Sequence, residues 1–378
     1  MTAWLDPGGA KTTPDPLRVV IAGGGTGGHL YPGIAVAREL LARRAGVQVS
    51  FAGTARGIEA KVLPREGFAL DLIRSGGLKG KSIADRARGA WLLPRSLWGA
   101  WRVVTLRRPH LVIGVGGYSS GPVVLVAALR GIPTMVLEQN AVPGLTNRLL
   151  ARFVQAAAVT FDSTRAYFGA KAFVSGNPVR PEFFEPVGPS TEAGADDESS
   201  IAGILVFGGS QGAHAINVAM VEAAPELAAD PRLRITHQTG ERDVEMVRAA
   251  YRRAGISAEV EPFLYDMGRR LRHANVIVCR AGATTLAEIT AAGKAAILIP
   301  LPTATDDHQR RNAEALAAAG AAQVLSQGEA AGGELARRVL ALVGNREARV
   351  RMARAAHALA RPDAAKVIVD RALELVEE

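Results

Sequence analysis

Short apolar runs alternate with longer stretches of mixed polarity along the chain, and this alternation is typical of strands and helices in a parallel sheet. The first half predicts strands over 18–22, 47–52, 111–115, 134–137 and 156–160, and helices over 33–44 and 122–130. The pattern restarts at Ile204, with strands predicted over 204–207, 234–238, 276–279 and 296–299. The segment from Leu335 to Glu378 is rich in Ala, Arg and Leu and predicts helix. We therefore expect an α/β protein with two Rossmann-like domains.

A glycine-rich loop follows an apolar run in each half of the chain. Gly23 to His29 follows the run 17–22, and Gly208 to Gly212 follows the run 204–207. At the start of a helix, such a loop lets backbone N–H groups approach a phosphate or another anion. The alternative is that both loops are only tight turns between strand and helix. Two copies favour two domains that face each other across a cleft.

Breaks in the pattern suggest the domain boundaries. Residues 1–16 contain Pro and Gly but lack the apolar core of a signal peptide, so we expect a disordered extension. The N-terminal domain is assigned to 17–180 and the C-terminal domain to 181–355. An exposed loop is predicted over 187–200. Residues 356–378 are expected to form a C-terminal helix that packs back on the first domain.

Composition narrows the class of protein. The 378 residues carry a net charge of +9. Cys279 is the only cysteine, so no intrachain disulfide can form, which fits a reducing compartment.

The uncharged stretch 111–129 is long enough for a membrane span. Its glycines, Pro122 and a Tyr-Ser-Ser segment instead predict a strand, a loop and a helix. The chain shows no nucleic-acid-binding motif, which argues against such a partner.

The basic charge is concentrated in one aromatic segment. Residues 79–108 contain eight Lys or Arg and one acid, and they hold three of the four tryptophans. Cations beside Trp and Leu are typical of a surface that docks on anionic lipid headgroups. The predicted membrane face consists of Trp91, Leu92, Leu93, Arg95 and Trp98. The alternative is an amphipathic helix whose Trp and Leu side chains face the core.

The first loop also fits a dinucleotide motif, but its context does not. Gly23, Gly25 and Gly28 satisfy G-x-G-x-x-G, and a dinucleotide site also requires an acid at the end of the second strand. No carboxylate stands there, and the first acid beyond is Glu59. The sequence therefore argues against NAD and FAD.

An acid suited to ribose appears in the second half. The run 279–288 follows a predicted strand and opens a helix, so the amides of 283–285 could bind a diphosphate. Glu288 lies about one turn into that helix, where it could accept hydrogen bonds from two ribose hydroxyls. The alternative is an acid that only complements the helix dipole. A polar loop over 300–309 lies at the next strand's carboxyl end, where open sheets bind ligands.

Seven motifs in order give the chain a close resemblance to a known family. They are the loop ending at His29, 114–122, 138–140, 176–180, 208–212, 280–288 and 307–309. Together they resemble the MurG family, the UDP-GlcNAc:lipid I N-acetylglucosaminyltransferases of peptidoglycan synthesis. The resemblance implies a GT-B fold and an inverting, metal-independent transferase without a cofactor. One departure is Leu137, where many members carry a histidine.

The resemblance also implies roles for individual residues. His29 is the first candidate for the base and Glu138 the second, although His29 could position a substrate without taking the proton. Tyr118, Asn147 and Asn217 match acceptor or cleft positions. The positions that match contacts to UDP-GlcNAc are Thr26, Gly27, Gly28, Asn140, Arg180, Ser210, Leu264, Ala283, Thr284, Thr285, Leu286, Ala287, Glu288 and Gln309. Among them, the resemblance implies that Asn140 and Gln309 contact the sugar, that Arg180 and Ser210 contact the diphosphate, and that the Leu264 backbone contacts uracil.

The implied reaction moves GlcNAc from UDP-GlcNAc to the MurNAc C4 hydroxyl of lipid I, giving lipid II. The implied location is peripheral, on the anionic cytoplasmic face of the bacterial cell membrane, with cell-wall and division proteins as further expected partners. The alternatives are a GT-B glycosyltransferase or sugar-nucleotide epimerase of another pathway, which the motifs 117–119 and 138–140 disfavour. A nucleotide-binding scaffold without catalysis is disfavoured by Glu288 and Gln309.

Overall fold

The computed structural model describes residues 16–73, 83–185, 201–209 and 212–377, with the backbone alone described for 83–92. It contains two parallel sheets, one in each half of the chain, and helices pack against both. The prediction of an α/β protein with two Rossmann-like domains is confirmed. The extension 1–16 lies outside the described residues except for its last position, and the loop 187–200 lies wholly outside them.

The first domain is built on a seven-stranded sheet. Its strands are β1 (Arg18–Gly23), β2 (Gln48–Gly53), β3 (Ala69–Leu72), β4 (Leu111–Gly116), β5 (Thr134–Glu138), β6 (Ala156–Val159) and β7 (Ala172–Val174). Its helices are α1 (Gly27–Arg43), α2 (Glu59–Arg65), α3 (Ile83–Arg107), α4 (Ser120–Leu129) and α5 (Leu145–Leu150). The strand order is β3-β2-β1-β4-β5-β6-β7, so it reverses between β1 and β4. Open parallel sheets bind ligands at the carboxyl ends of strands at such a switch point.

The second domain repeats this plan with six strands. They are β8 (Ala202–Phe207), β9 (Leu233–Gln238), β10 (Ser257–Glu261), β11 (Val276–Cys279), β12 (Ala295–Leu298) and β13 (Gln323–Val324). Its helices are α6 (His214–Leu227), α7 (Val244–Ala254), α8 (Met267–His273), α9 (Ala283–Ala292), α10 (His308–Ala318), α11 (Gly332–Gly344) and α12 (Arg346–Ala358). The order β10-β9-β8-β11-β12-β13 places the switch point between β8 and β11.

The chain crosses between the domains a second time at its end. Helix α12 packs on α9 and β12 of the second domain. Helix α13 (Ala364–Glu377) instead packs on α1, and its Ile368, Val369 and Ala372 join the core of the first domain. Apolar side chains on one face of α13 therefore hold this last helix on the first domain.

The predicted strands match the observed ones to within two residues at each end. Every position of β4 is buried, which explains its continuous apolar run. Four strands had no clear signal in the sequence, and all four lie at sheet edges: β3, β7, β10 and β13. Edge strands are short or partly exposed, so their apolar pattern is weak.

Helix α1 begins at Gly27, six residues before the predicted start at position 33. The predicted helix begins directly after Pro32, and proline is unfavourable in most helix interiors. In the structure Pro32 lies within the helix and is buried. Among the residues described, no helix is both long and apolar enough to cross a membrane.

Candidate active site

The first glycine-rich loop ends β1 at the switch point of the first sheet. Gly23 and Gly24 have φ angles of 145° and 137°, which residues other than glycine rarely adopt. A Cβ on Gly23 would lie 2.4 Å from the Gly116 carbonyl oxygen, so the loops after β1 and β4 approach closely. This contact places the start of α1 directly beside the end of β4.

A buried carboxylate fixes the same loop from below. Glu59, fully buried at the start of α2, accepts hydrogen bonds from the Gly25 amide (2.7 Å), the Thr54 amide (2.8 Å) and the Thr54 hydroxyl (2.9 Å). The first acid after β2 therefore shapes the loop, which is a structural role that the sequence did not reveal.

His29 lies in the first turn of α1 and is half-buried at the cleft. Its Nδ1 lies 3.2 Å from the Oε1 atom of Gln139. Burial lowers the pKa of His29 from its ordinary value, while the charge of Glu138 opposes this shift. A lowered pKa makes the imidazole neutral at pH 7, which is the form that can accept a proton.

Glu138, the second candidate for the base, is only 2% exposed at the end of β5. Four donors bind its carboxylate: the Asn140 amide (3.0 Å) and Nδ2 (3.1 Å), the Gly144 amide (3.0 Å) and Asn147 Nδ2 (2.9 Å). Accepting a substrate proton would disrupt these bonds, and the carboxylate has little access to the cleft. The geometry favours a role in which Glu138 holds the loop 140–147.

Two residues that the sequence placed in the cleft lie beneath it. Asn147 is buried, and its Nδ2 also donates to the Leu137 carbonyl (3.0 Å). Asn217 is buried in α6, where its Nδ2 donates to the Thr239 carbonyl (2.9 Å) and to Asp243 (2.8 Å). Both amides are used to hold loops that border the cleft, so direct contact with the acceptor is not supported. Tyr118, by contrast, is exposed on the loop after β4.

Helix α9 points its N-terminus at the cleft from the second domain. It begins at Ala283, with Gly282 as N-cap, so the positive end of the helix dipole lies at 283–285. The Thr284 hydroxyl donates to the Gly28 carbonyl at 3.1 Å. That carbonyl is available because Pro32, four residues on, has no N–H with which to bond it. Helix α9 is therefore linked directly to the turn that carries His29.

Glu288 lies one turn into α9 and is partly buried. Removal of water raises the pKa of its carboxyl to about 7, with Arg180 opposing the shift and Glu182 adding to it. Arg180 pairs with Glu182 at 3.1 Å and lies over the rings of Tyr31 and Phe183. The predicted ribose acid and diphosphate arginine are thus electrostatic neighbours.

The sequence missed the residue that bridges the domains most directly. Asn312, fully buried in α10, accepts from the Ala141 amide (2.8 Å), and its Nδ2 donates to Asn140 Oδ1 (3.1 Å) and to the Ala281 carbonyl (3.2 Å). One side chain of the second domain thereby orients the predicted sugar contact Asn140 in the first. Its position three residues after Gln309 was the only available signal. Gln309 itself accepts from the Leu301 amide at 3.0 Å.

The backbone amide of Leu264, the predicted contact to uracil, already has a hydrogen-bond partner within the protein. The Leu264 amide donates to Gln238 Oε1 at 3.1 Å, and Gln238 Nε2 donates to the Gly209 carbonyl at 2.8 Å. A uracil ring that accepts a hydrogen bond from the Leu264 amide would have to displace the side chain of Gln238. Ser210, in the same loop, lies outside the described residues.

The predicted membrane face lies on α3. Trp98 is 64% exposed and Leu93 41% exposed, with Arg95 exposed nearby. Trp101, one turn on, is 53% exposed. The alternative that these tryptophans face the core is wrong for both Trp98 and Trp101. The side chains of Trp91 and Leu92 lie outside the described residues.

In the described part of the chain, no group of three or more His, Cys, Asp or Glu side chains is arranged to hold a metal ion. The helix N-termini and Arg180 are the features of the cleft that could take up negative charge.

Comparison with known proteins gives matches over nearly the whole chain. The glycosyltransferase family 28 N-terminal domain matches residues 19–159, and the family 28 C-terminal domain matches residues 203–368. A protein of Anaeromyxobacter sp. (strain K) is 48% identical over 362 residues, 95% of this chain and 93% of its own. It is named UDP-N-acetylglucosamine–N-acetylmuramyl-(pentapeptide) pyrophosphoryl-undecaprenol N-acetylglucosamine transferase.

Solved structures agree with this match. The crystal structure of Acinetobacter baumannii MurG aligns with a TM-score of 0.77 and 32% identity, covering 95% of this chain and all of that one (100%). The UDP-GlcNAc 2-epimerase of Neisseria meningitidis aligns with a TM-score of 0.67 at 14% identity, covering 95% and 100%. At that identity the second likeness concerns the fold alone.

Proposed function

The chain belongs to glycosyltransferase family 28, and from this membership we propose that it transfers N-acetylglucosamine from UDP-N-acetylglucosamine to lipid I. The acceptor atom is the C4 hydroxyl oxygen of the MurNAc unit, and the product is lipid II. The observation that carries the proposal is the 48% identity, over 95% of the chain, to a protein named for this transfer. The two Rossmann-like domains constitute a GT-B fold, with the cleft between them as the site.

The reaction is a single displacement with inversion at the anomeric carbon. The C4 oxygen attacks from the face opposite the diphosphate, the bond from the anomeric carbon to the UDP oxygen breaks, and a base takes the hydroxyl proton. The transition state resembles an oxocarbenium ion, while negative charge grows on the leaving diphosphate. The N-terminus of α9 and Arg180 face this charge, and fixed dipoles of this kind stabilise it without reorganisation.

His29 is the base in this proposal. Its lowered pKa leaves it neutral at pH 7, it is half-buried at the cleft, and the Thr284 bond to Gly28 places it beside the donor-side helix. Glu138 is held by four donors beneath the surface, which supports a role in positioning Asn140. Glu288 is proposed to accept ribose hydroxyls and Gln309 to bind the sugar.

The direct test is transfer of labelled GlcNAc to a short-chain lipid I analogue in EDTA, with wild type and Glu288→Ala compared. Turnover in EDTA that collapses in the variant supports the donor site and metal-independent transfer together. A folded protein that binds UDP-GlcNAc but transfers nothing to lipid I would contradict the acceptor assignment. In that case the other GT-B transferases become the better hypothesis.

We further propose that α3 docks the protein on an anionic membrane surface, which brings the cleft to the lipid-linked acceptor. Exposed Trp98, Leu93 and Trp101 supply apolar contact, and Arg95 and Arg102 supply charge. Sedimentation with phosphatidylglycerol vesicles should fall sharply for Trp98→Glu with Arg95→Glu.

A matched control for the docking test exists on the second domain. Met246 and Arg253 are exposed and seven residues apart on α7, so they lie on one helix face. Met246→Glu with Arg253→Glu changes the charge equally and should leave sedimentation unchanged. Equal losses in both double variants would indicate a net-charge effect and contradict a specific face on α3.

A further inference from the structure

We infer that Gln139 is a positioning residue that fixes the tautomer of His29, so that Nδ1 carries the hydrogen and Nε2 presents its lone pair to the acceptor hydroxyl. The inference rests on the proposed role of His29 as the base, and it assigns a function to a residue that carries none in that proposal. Gln139 follows Glu138 directly and is buried, so it has no contact of its own with solvent.

The orientation of the Gln139 amide follows from its partners. One end of the amide lies 3.1 Å from the Val115 carbonyl oxygen at the end of β4. A carbonyl oxygen only accepts hydrogen bonds, so the amide nitrogen must face it and donate. The amide oxygen is then the atom that faces His29, and it too can only accept.

The tautomer of His29 follows in the same way. Its Nδ1 lies 3.2 Å from the Gln139 oxygen, so Nδ1 must be the protonated nitrogen. Nε2 lies on the other side of the ring, directed away from the buried glutamine. In the neutral ring Nε2 therefore holds the free lone pair, and it gains the proton when the C4 oxygen attacks.

The close approach of Gly116 to the His29 ring supports this account. A Cβ on Gly116 would lie 2.7 Å from His29 Nδ1, so the absence of a side chain there lets the ring reach Gln139. The chain Val115 carbonyl, Gln139 amide and His29 ring thus links the ends of β4 and β5 to the start of α1. Every hydrogen bond in it has a fixed direction.

The first measurement is the ¹⁵N spectrum of the full-length protein with labelled histidine. The chain has seven histidines, and His29→Ala identifies the signal of interest. We expect a protonated, pyrrole-type Nδ1 and an unprotonated, pyridine-type Nε2 at pH 8. The opposite pattern in wild type would overturn the inference without any reference to activity.

Two substitutions should have different effects. Gln139→Leu removes the side-chain acceptor but leaves the Val115 carbonyl beside His29, so the Nδ1–H tautomer should lose population and kcat should fall by roughly 3- to 10-fold with KM for UDP-GlcNAc unchanged. Gln139→Glu keeps an acceptor and adds a negative charge, so it should retain the Nδ1–H form and move the acid limb of the kcat profile to higher pH. Glu138 and His308 are the other titratable groups that influence His29, and both are unchanged in these variants.

The control is Gln155→Leu, which removes glutamine bonds to Thr134 at the other end of β5. It should leave the His29 spectrum and kcat unchanged. A Gln139→Leu protein with the wild-type tautomer would overturn the inference. If the tautomer depends on Gln139 but His29→Ala retains full activity, the positioning role stands and the base assignment fails.

Discussion

Donor binding should weaken as pH falls, because Glu288 titrates near neutrality. Its carboxyl has a pKa of about 7 in the unliganded protein, raised mainly by burial. The carboxylate offers two charged oxygens to the ribose hydroxyls, whereas the protonated acid turns one of them into an O–H donor and accepts more weakly. We therefore expect UDP-GlcNAc to bind the deprotonated form preferentially and to displace the proton that Glu288 carries.

The magnitude follows from the fraction of protein with an ionised Glu288. With a pKa of about 7, that fraction is about nine-tenths at pH 8 and about one-tenth at pH 6. The Kd for UDP-GlcNAc should thus rise roughly tenfold between these two values, which corresponds to about 1.4 kcal/mol. At pH 7, binding should release about half a proton, which calorimetry in buffers of different ionisation enthalpy measures directly.

The direction of the pH dependence distinguishes the titration of Glu288 from that of the nearby His29. Protonation of His29 at low pH would add positive charge to the cleft and strengthen the binding of an anionic donor, which is the opposite trend. Glu288→Gln should weaken binding and abolish the loss at low pH. Glu182→Gln should move the midpoint to lower pH, because the charge of Glu182 helps to raise the pKa of Glu288. A Kd that stays flat from pH 6 to 8, or a Glu288→Gln protein with the wild-type slope, would refute the reasoning.

The same shift has a consequence for the unliganded fold. The pKa in the folded protein lies above the ordinary value of 4.5, so ionisation is disfavoured in the fold. The contribution of Glu288 to stability is fully present below about pH 4.5 and is lost as pH rises through about 7. Glu288→Gln should accordingly raise the unfolding temperature at pH 8 more than at pH 5.

Three further predictions concern other parts of the cleft. His29→Ala should reduce kcat in single turnover by ~10²–10⁴-fold with donor Kd unchanged, whereas about tenfold would indicate a role in positioning only. Asn312→Ala leaves the Asn140 amide and the Ala141 N–H without their interdomain partner, so the free energy of unfolding should fall by roughly 1–3 kcal/mol. Small-angle scattering should then show a larger radius of gyration, and an unchanged radius would contradict the bridging role. Gly23→Ala would place a Cβ 2.4 Å from the Gly116 carbonyl oxygen, so the urea midpoint should fall by the equivalent of about 1–3 kcal/mol, and a wild-type midpoint would contradict the close approach of these loops.

The central strands could be predicted from the sequence, and the edge strands could not, for one physical reason. A strand buried on both faces, such as β4, must be apolar throughout, so its run is visible without any partner. Edge strand β10 reads SAEVE and is largely exposed or half-exposed, so nothing in its composition distinguishes it from a loop. The first turns of α1 were missed because the helix begins at Gly27, inside a glycine-rich loop of low helix propensity, and continues through Pro32.

The sequence identified the motifs that form the site, but it could not show which way their side chains face. The family resemblance identified Glu138, Asn147 and Asn217 as important, yet it could not show that all three side chains are buried. Whether an amide contacts a substrate or supports a loop depends on which side of the loop it faces. Asn312 was missed for a related reason, because its partners Asn140 and Ala141 lie in the other domain and far away in sequence.

The two helix starts that face the cleft, those of α1 and α9, differ in how their backbone amides are used. In the first domain the Gly25 amide bonds Glu59 and the Gly24 amide bonds the Gly116 carbonyl, so these two amides are not available to an anion. In the second domain α9 begins at Ala283 with its first turn directed at the cleft. An internal carboxylate beside the first loop also repels a diphosphate. In the proposed reaction, the first helix start therefore presents His29 to the acceptor, and we expect α9 and Arg180 to take up the charge that develops on the donor.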